Sequence, residues 1–471
     1  MTTPADLRLA GGTVVLPGTG AQRADVLVAD GRILAVVDPS SLAEARETID
    51  VSGRHVLPGV VDAHVHLGAD IQQPRDADDV RPETAAAAAG GVTSLVAYLM
   101  SAEPYEGVFA SSKAAMEADA LVDFGFHFCI GTREQLESIP SYVTDLGVSS
   151  FKFFMNFRTD EGQRLGLPGN DDGFLLELLE AAAANGAMVN PHAENADLIK
   201  LLARRGVLEG PGAEDNPLQA WDRSRPDYVE AEALERIGFL SMLAQADLHT
   251  VHVTNEMSLK VLRDVRAHQP KISIETCTHY LTLDIDAGVG AYGKVNPPLR
   301  PRSDVEALWA AIADGTIDTI GSDHVPRHGQ YKEGGIAKAS PGFPGLQSLL
   351  PLVLTEGHLK RGISLERIVD LVSTRPAANF GLGDRKGAIR PGADADLVVV
   401  DLDAPNVIST DRELSGAGFT PWDGTEVGVR VERTIVRGRT VFVDGAVTDE
   451  AVGQYLPRAK SGATTNRGAR A

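Results

Sequence analysis

From about residue 55 onwards, short apolar runs alternate with longer stretches rich in Ala, Leu and Glu. The runs fall at 60–66, 92–99, 124–130, 148–154, 187–192, 248–253, 271–277 and 317–322. Their alternation with the longer stretches is the βα pattern of a parallel sheet. Stretches such as 174–184, 229–244 and 304–313 read as helices between them. Eight successive βα units predict a closed (β/α)8 TIM barrel.

The two chain ends are patterned differently. Residues 6–17 and 24–37 read as short strands, the second run broken by Asp30-Gly31, a hairpin signal between alternating apolar positions. The same style returns in GAIRPGADADLVVVDLD and VERTIVRGRTVFVDG, after residue 387. The α/β barrel, 57–386, is therefore expected to carry a small β-sandwich domain built from both ends, 1–56 and 387–456. Residues 457–471, basic, small and polar, read as a flexible tail.

Composition narrows the function classes. The chain of 471 residues has a formal net charge of −21, which argues against nucleic acid or an anionic membrane surface as partner. No apolar stretch approaches the ~18 residues of a membrane span, and the start lacks a basic region followed by an apolar run. Two cysteines, Cys129 and Cys277, cannot build a disulfide framework. A cytoplasmic location is the simplest expectation.

Candidate chemistry gathers at the C-terminal ends of the predicted strands, where barrel active sites lie. Asp62-Ala-His64-Val-His66 closes the first strand, and side chains two apart on a strand share a face. His64 and His66 would project together and suit a divalent metal; two partly buried histidines with backbone partners give the same pattern. His192 ends the fifth strand, His252 the sixth, and Asp323 follows the eighth. Four histidines and one carboxylate form an N/O donor set that fits zinc better than calcium. Lys152 lies in the apolar strand Ser-Ser-Phe-Lys152-Phe-Phe-Met. An unpaired ammonium there would be costly, so it is either salt-bridged or neutral. A neutral amine can add CO2 to give a carbamate that bridges two metals. Carbamate, Asp323 and a bridging hydroxide would then remove three of the four charges of two divalent ions, leaving one to stabilise an oxyanion.

These motifs, with Phe-Lys152-Phe-Phe-Met, His192-Ala-Glu-Asn, Gly-Ser-Asp323-His-Val-Pro, Ser224-Arg-Pro, Glu275-Thr-Cys-Thr-His-Tyr, Lys294-Val-Asn-Pro-Pro-Leu-Arg and Arg375-Pro-Ala-Ala-Asn, resemble the cyclic amidohydrolases. That group comprises the dihydropyrimidinases, hydantoinases, allantoinases and dihydroorotases of the amidohydrolase superfamily, and the likeness covers nearly the whole chain. The resemblance implies one metal on His64, His66, Lys152 and Asp323 and another on His192, His252 and N6-carboxylated Lys152. It implies attack on a ring amide by a metal-bridging hydroxide, with Asp323 as base and then acid. A small cyclic amide as substrate and a homotetramer as assembly follow from it too. Asn296, Phe157 and Phe343 are expected to contact substrate; His279 and His324 are expected to orient ligands, and His127 and His249, off the matched positions, to have core or supporting roles.

The pattern also departs from its subgroups. Hydantoinases and dihydropyrimidinases carry a tyrosine five residues after the lysine, where this chain has Phe157. Dihydroorotases have H-x-H-x-R, and His66-Leu67-Gly68 lacks the arginine. Glu275-Thr-Cys-x-His-Tyr and Gly345-Leu-Gln-Ser-Leu-Leu-Pro lean towards allantoinases. The reading is a hydantoinase- or dihydropyrimidinase-like hydrolase, with an allantoinase- or dihydroorotase-like enzyme as alternative. Non-catalytic relatives of dihydropyrimidinase that serve as scaffolds lack several ligand residues, and this chain keeps all six.

Overall fold

The computed structural model describes residues 4–68, 73–159, 162–163, 166–208 and 215–462. Eight parallel strands are hydrogen-bonded in chain order: β1 (Val60–Val65), β2 (Val92–Leu99), β3 (Asp123–Cys129), β4 (Ser150–Phe154), β5 (Met188–His192), β6 (Asp247–Thr250), β7 (Ile272–Cys277) and β8 (Thr319–Gly321). The sheet closes past β8, where Val65 bridges His324 in parallel and the His66 N–H donates to the His324 carbonyl at 2.8 Å. Each apolar run is thus a strand of a closed barrel. β6 and β8 are shorter than their runs because the chain enters the left-handed region just beyond them, at His252 (φ 43°) and Asp323 (φ 46°).

The helices that follow the strands lie outside this barrel. Asp172–Ala184 begins at Asp171, whose carboxylate accepts from the Phe174 N–H at 3.0 Å, an N-cap the sequence spelled with Asn-Asp-Asp. Among the described residues no helix is long and apolar enough to cross a membrane.

The chain ends build two substantial sheets, with a two-stranded ribbon of Asn406–Val407 and Glu426–Val427 besides. In the larger, His55–Pro58 pairs with Leu397–Asp401, so strands from opposite ends of the chain are neighbours. The smaller has four strands, Arg32–Val37, Asp25–Ala29, Ala5–Ala10 and Ala45–Asp50. Leu7, Leu9, Val26, Val28, Val56, Leu397, Val399 and Ile435 pack together in a core of their own. Run 6–17 is not one strand. It switches sheets at Gly11, whose φ of 79° and approach to Ser52 (a Cβ would lie 2.4 Å from Oγ) demand glycine. His55–Pro58 leads straight into β1, so the small domain sets the position of the strand bearing His64.

The expected flexible tail does not begin at residue 457. The Arg458 N–H donates to the Gly147 carbonyl at 2.7 Å, its buried guanidinium reaches the Phe126 carbonyl and Ser150 Oγ, and the Gly462 N–H donates to the Asn379 carbonyl. A basic, polar composition hid a segment that seals the lower end of the barrel. Residues 463–471 lie outside the described residues.

A buried charge cluster couples barrel to small domain. Lys386 Nζ pairs with Asp123 at 2.6 Å, Asp396 at 2.6 Å and Asp394 at 3.0 Å, and Asp123 opens β3 while Asp396 precedes Leu397–Asp401. Burial opposes the ammonium, but these carboxylates outweigh it and raise its pKa. Lys386→Met would leave Asp396 buried without a counter-ion, while Asp123 keeps Arg437 and Asp394 keeps Arg385, a loss of about 3–5 kcal/mol. A clear fall in the guanidinium unfolding midpoint is expected, and an unchanged midpoint would show that the cluster contributes nothing net.

Candidate metal centre

Six side chains named from the sequence line one cleft at the C-terminal mouth of the barrel: His64, His66, Lys152, His192, His252 and Asp323. His64 and His66 leave the end of β1 on the same face, Lys152 rises from within β4, and His192 ends β5. His252 and Asp323 sit in the left-handed turns past β6 and β8. Such conformations cost on the order of 1–3 kcal/mol each and persist where the surroundings enforce them. At His252 the N–H donates to Glu275 Oε1 at 3.3 Å.

The donor atoms converge. Nitrogen and oxygen atoms of His64, His66 and Asp323 all lie within 4.8 Å of one another. His64 Nε2 is 3.1 Å and His66 Nε2 3.7 Å from Asp323 Oδ1. The shorter contact lacks hydrogen-bond alignment, for His64 Nε2 has no hydrogen-bond partner despite being buried. Lone pairs aimed past one another at a common point are what a cation requires. On the other side of the cleft His252 Nε2 lies 3.0 Å from His192 Nδ1.

Carboxylates behind the histidines fix which nitrogen faces the cleft. His64 Nδ1 contacts Glu275 Oε1 at 2.6 Å, which leaves Nε2 as the inward lone pair. His192 Nε2 contacts Glu194 Oε2 at 2.7 Å, which leaves Nδ1 facing His252. Glu194 is held in turn by Arg225 at 2.9 Å, giving the Ser224-Arg-Pro motif a task. Burial would raise the Glu194 carboxyl, but Arg225 and His192 hold it down to about 2. Glu275 also meets His249 Nε2 at 3.1 Å, so His249 has a supporting role, one residue away from the cleft. Glu275 and Glu194 stood in the recognised motifs without a role. A lone carboxylate within an apolar strand run was the signal for Glu275.

Lys152 is 1% exposed, with Nζ 4.6 Å from the Tyr98 ring centre and 5.0 Å from that of Phe154. Among the described residues it makes no ion pair within 4 Å, so the salt-bridge explanation for its burial falls away. Burial pulls its ammonium below the usual lysine range, against the raising influence of Asp323. Burial likewise opposes ionisation of Asp323, but His64, His66 and His279 keep its carboxyl well below the ordinary range.

The remaining expected residues divide. Asn296 lines the cleft with Val295, Val325 and Gly342. Phe157 lies one ring back, stacked on Phe154 at 4.0 Å, and it is Phe154 that borders the cleft. Phe343 is buried behind the wall, 5.1 Å from the His279 ring and 5.9 Å from Trp422, and does not line the cleft. Its neighbour Gly342 takes that place because φ of 98° turns the chain there. His324 contacts Glu83 at 2.9 Å and His127 contacts the Ala63 carbonyl at 2.9 Å, both away from the donor atoms. Burial raises the Cys277 thiol well above its usual range.

The donor set fits divalent metal: four imidazoles, two of them with the outer nitrogen engaged by a carboxylate, a carboxylate and a desolvated lysine. Comparison with known proteins agrees. The amidohydrolase family model matches residues 55–441. The chain is 34% identical over 466 residues to the D-hydantoinase of Geobacillus stearothermophilus, covering 96% of each. It is 37% identical over 464 residues to the allantoinase of Rubrobacter xylanophilus, covering 96% of this chain and 97% of that one. The crystal structure of dihydropyrimidinase from Brevibacillus agri superposes with a TM-score of 0.87 at 31% identity, over 96% of this chain and 98% of that one. The chain belongs to the amidohydrolase family, in the group that holds the hydantoinases, allantoinases and dihydropyrimidinases.

Proposed function

We propose that this protein opens the amide bond of a cyclic ureide or imide, as a hydantoinase- or dihydropyrimidinase-like hydrolase with two zinc ions and an N6-carboxylated Lys152. The observation that carries it is the convergence of six donor residues on one cleft, with the outward nitrogens of His64 and His192 pinned by Glu275 and Glu194. His64, His66 and Asp323 would hold one ion, His192 and His252 the other, and Lys152 would be shared. Bound divalent metal supplies polarisation of the ring carbonyl and a water acidic enough to react near neutral pH. Asp323, ionised and beside His64, takes the proton of the attacking water and returns it to the leaving ring nitrogen. Asn296, on the facing wall, orients the ring. A homotetramer is the assembly the family resemblance implies.

Phe157 favours a second reading, an allantoinase-like enzyme. Its ring is stacked flat on Phe154 and offers no hydroxyl to an oxyanion, a contribution of ~2.7–4 kcal/mol where such a donor exists.

One panel tests both readings: dihydrouracil, 5-substituted hydantoins, allantoin, dihydroorotate and simple cyclic imides, offered to zinc-loaded protein. Turnover of one member, abolished by chelation and restored by zinc, is expected. No turnover with two metals bound would sink the substrate class, and failure to bind metal at all would point to a non-catalytic scaffold.

A further inference from the structure

The roof of the cleft is not a continuous element. It is formed by two separate segments, Val295-Asn296 and Pro341-Gly342, neither of them part of the barrel sheet. They are joined to each other by one backbone hydrogen bond, from the Gly342 N–H to the Lys294 carbonyl at 2.9 Å. Alone, that is little to hold a wall that must match a rigid ring.

Lys332 supplies the rest. It ends the short turn Gly329–Lys332 and is 1% exposed. Its Nζ donates to the carbonyls of Lys294 at 3.0 Å, Ser340 at 2.9 Å and Gly342 at 2.6 Å. All three ammonium donors are therefore spent on backbone, and on the two roof segments at once. Among the described residues no carboxylate lies within 4 Å of it. Burial and the nearby cations Arg327 and Lys294 push its pKa well below the lysine range. A buried cation without a counter-ion is unfavourable for stability alone, and an apolar side chain would fill the same space. What an apolar side chain could not do is tie three carbonyls from two segments to one point.

We propose that Lys332 is a positioning residue for substrate: it fixes Asn296 and Gly342 as one rigid wall against which the ring is seated. It touches neither the reacting atoms nor the metal ligands, and acts by holding the wall in its bound shape before substrate arrives. Such a residue governs binding of the ring rather than the chemical step.

The proposal rests on the ring-opening reading only for its kinetic arm, so two measurements are paired. Lys332→Met and Lys332→Gln are examined as full-length, zinc-loaded protein by hydrogen exchange and by steady-state kinetics on whichever panel substrate the wild type turns over. In Lys332→Met, amides in 294–300 and 340–346 should exchange at least about tenfold faster while β1 to β5 keep their protection. KM should rise about tenfold with kcat within about threefold and metal content unchanged. Lys332→Gln, which keeps two donors, should fall between. Unchanged exchange in the two segments, or a lowered melting temperature with wild-type KM, overturns the proposal. Should Lys332→Met not fold, Lys332→Gln decides by the same two readouts. A wild type inactive on every substrate fails the ring-opening reading, and the exchange result then judges Lys332 by itself.

Discussion

Asp323→Asn is expected to lower kcat by about 10³-fold or more, within the range a positioned general base contributes, while the protein stays folded. Asparagine is the informative replacement for three reasons. It is isosteric with aspartate. It keeps a carbonyl oxygen where Oδ1 lies 3.1 Å from His64 Nε2, so a metal loses a charge but not a contact. It also tolerates the left-handed backbone at φ 46° as well as aspartate does, so no strain is added to the turn after β8. What it cannot do is take a proton from water and return it to nitrogen. Measured kcat, metal content and melting temperature separate these effects. A variant that keeps more than about a tenth of wild-type kcat with metal bound would remove Asp323 from proton transfer.

The barrel and the six side chains that meet in its mouth were legible in the chain for one physical reason. β-rich runs alternating with helical stretches mark a parallel barrel, and its active-site side chains come from the C-terminal ends of the strands, where four histidines and Asp323 could be found. The residues that orient those side chains were not legible. Glu275 lies 211 positions from His64 and Arg225 lies 31 from Glu194, and nothing local records either pairing. The left-handed turns at His252 and Asp323 are likewise imposed by tertiary contacts, not by a glycine a reader could see. The same holds for residues 457–462, whose composition suits solvent but whose Arg458 is buried beneath the barrel. Phe343 meets the commoner fate of phenylalanine, burial behind the wall, because Gly342 occupies the cleft face in its place.

Lys152→Ala is expected to cost on the order of 10³-fold in kcat, and here the loss should come with a change in metal content. The lysine is enclosed by aromatic rings at 4.6 and 5.0 Å, with His64, His66, His192, His252 and Asp323 around the same cleft. As an ammonium it would repel two divalent ions; as a neutral amine it could bind one; as a carbamate it would bring a negative charge and two oxygens, enough for both. Desolvation favours the neutral amine, which is the form that adds CO2. Three results then belong together. Native mass measurement of the metal-loaded wild type should show one added CO2, lost on acidification. Lys152→Ala should hold fewer than two metals per chain yet keep its fold. Small carboxylates such as acetate or propionate, able to enter the space the side chain vacates, should restore part of its activity and do nothing for the wild type. An active, fully metal-loaded protein with an unmodified lysine, or a Lys152→Ala variant that retains both metals and its kcat, would leave Lys152 as a buried amine with no part in the centre.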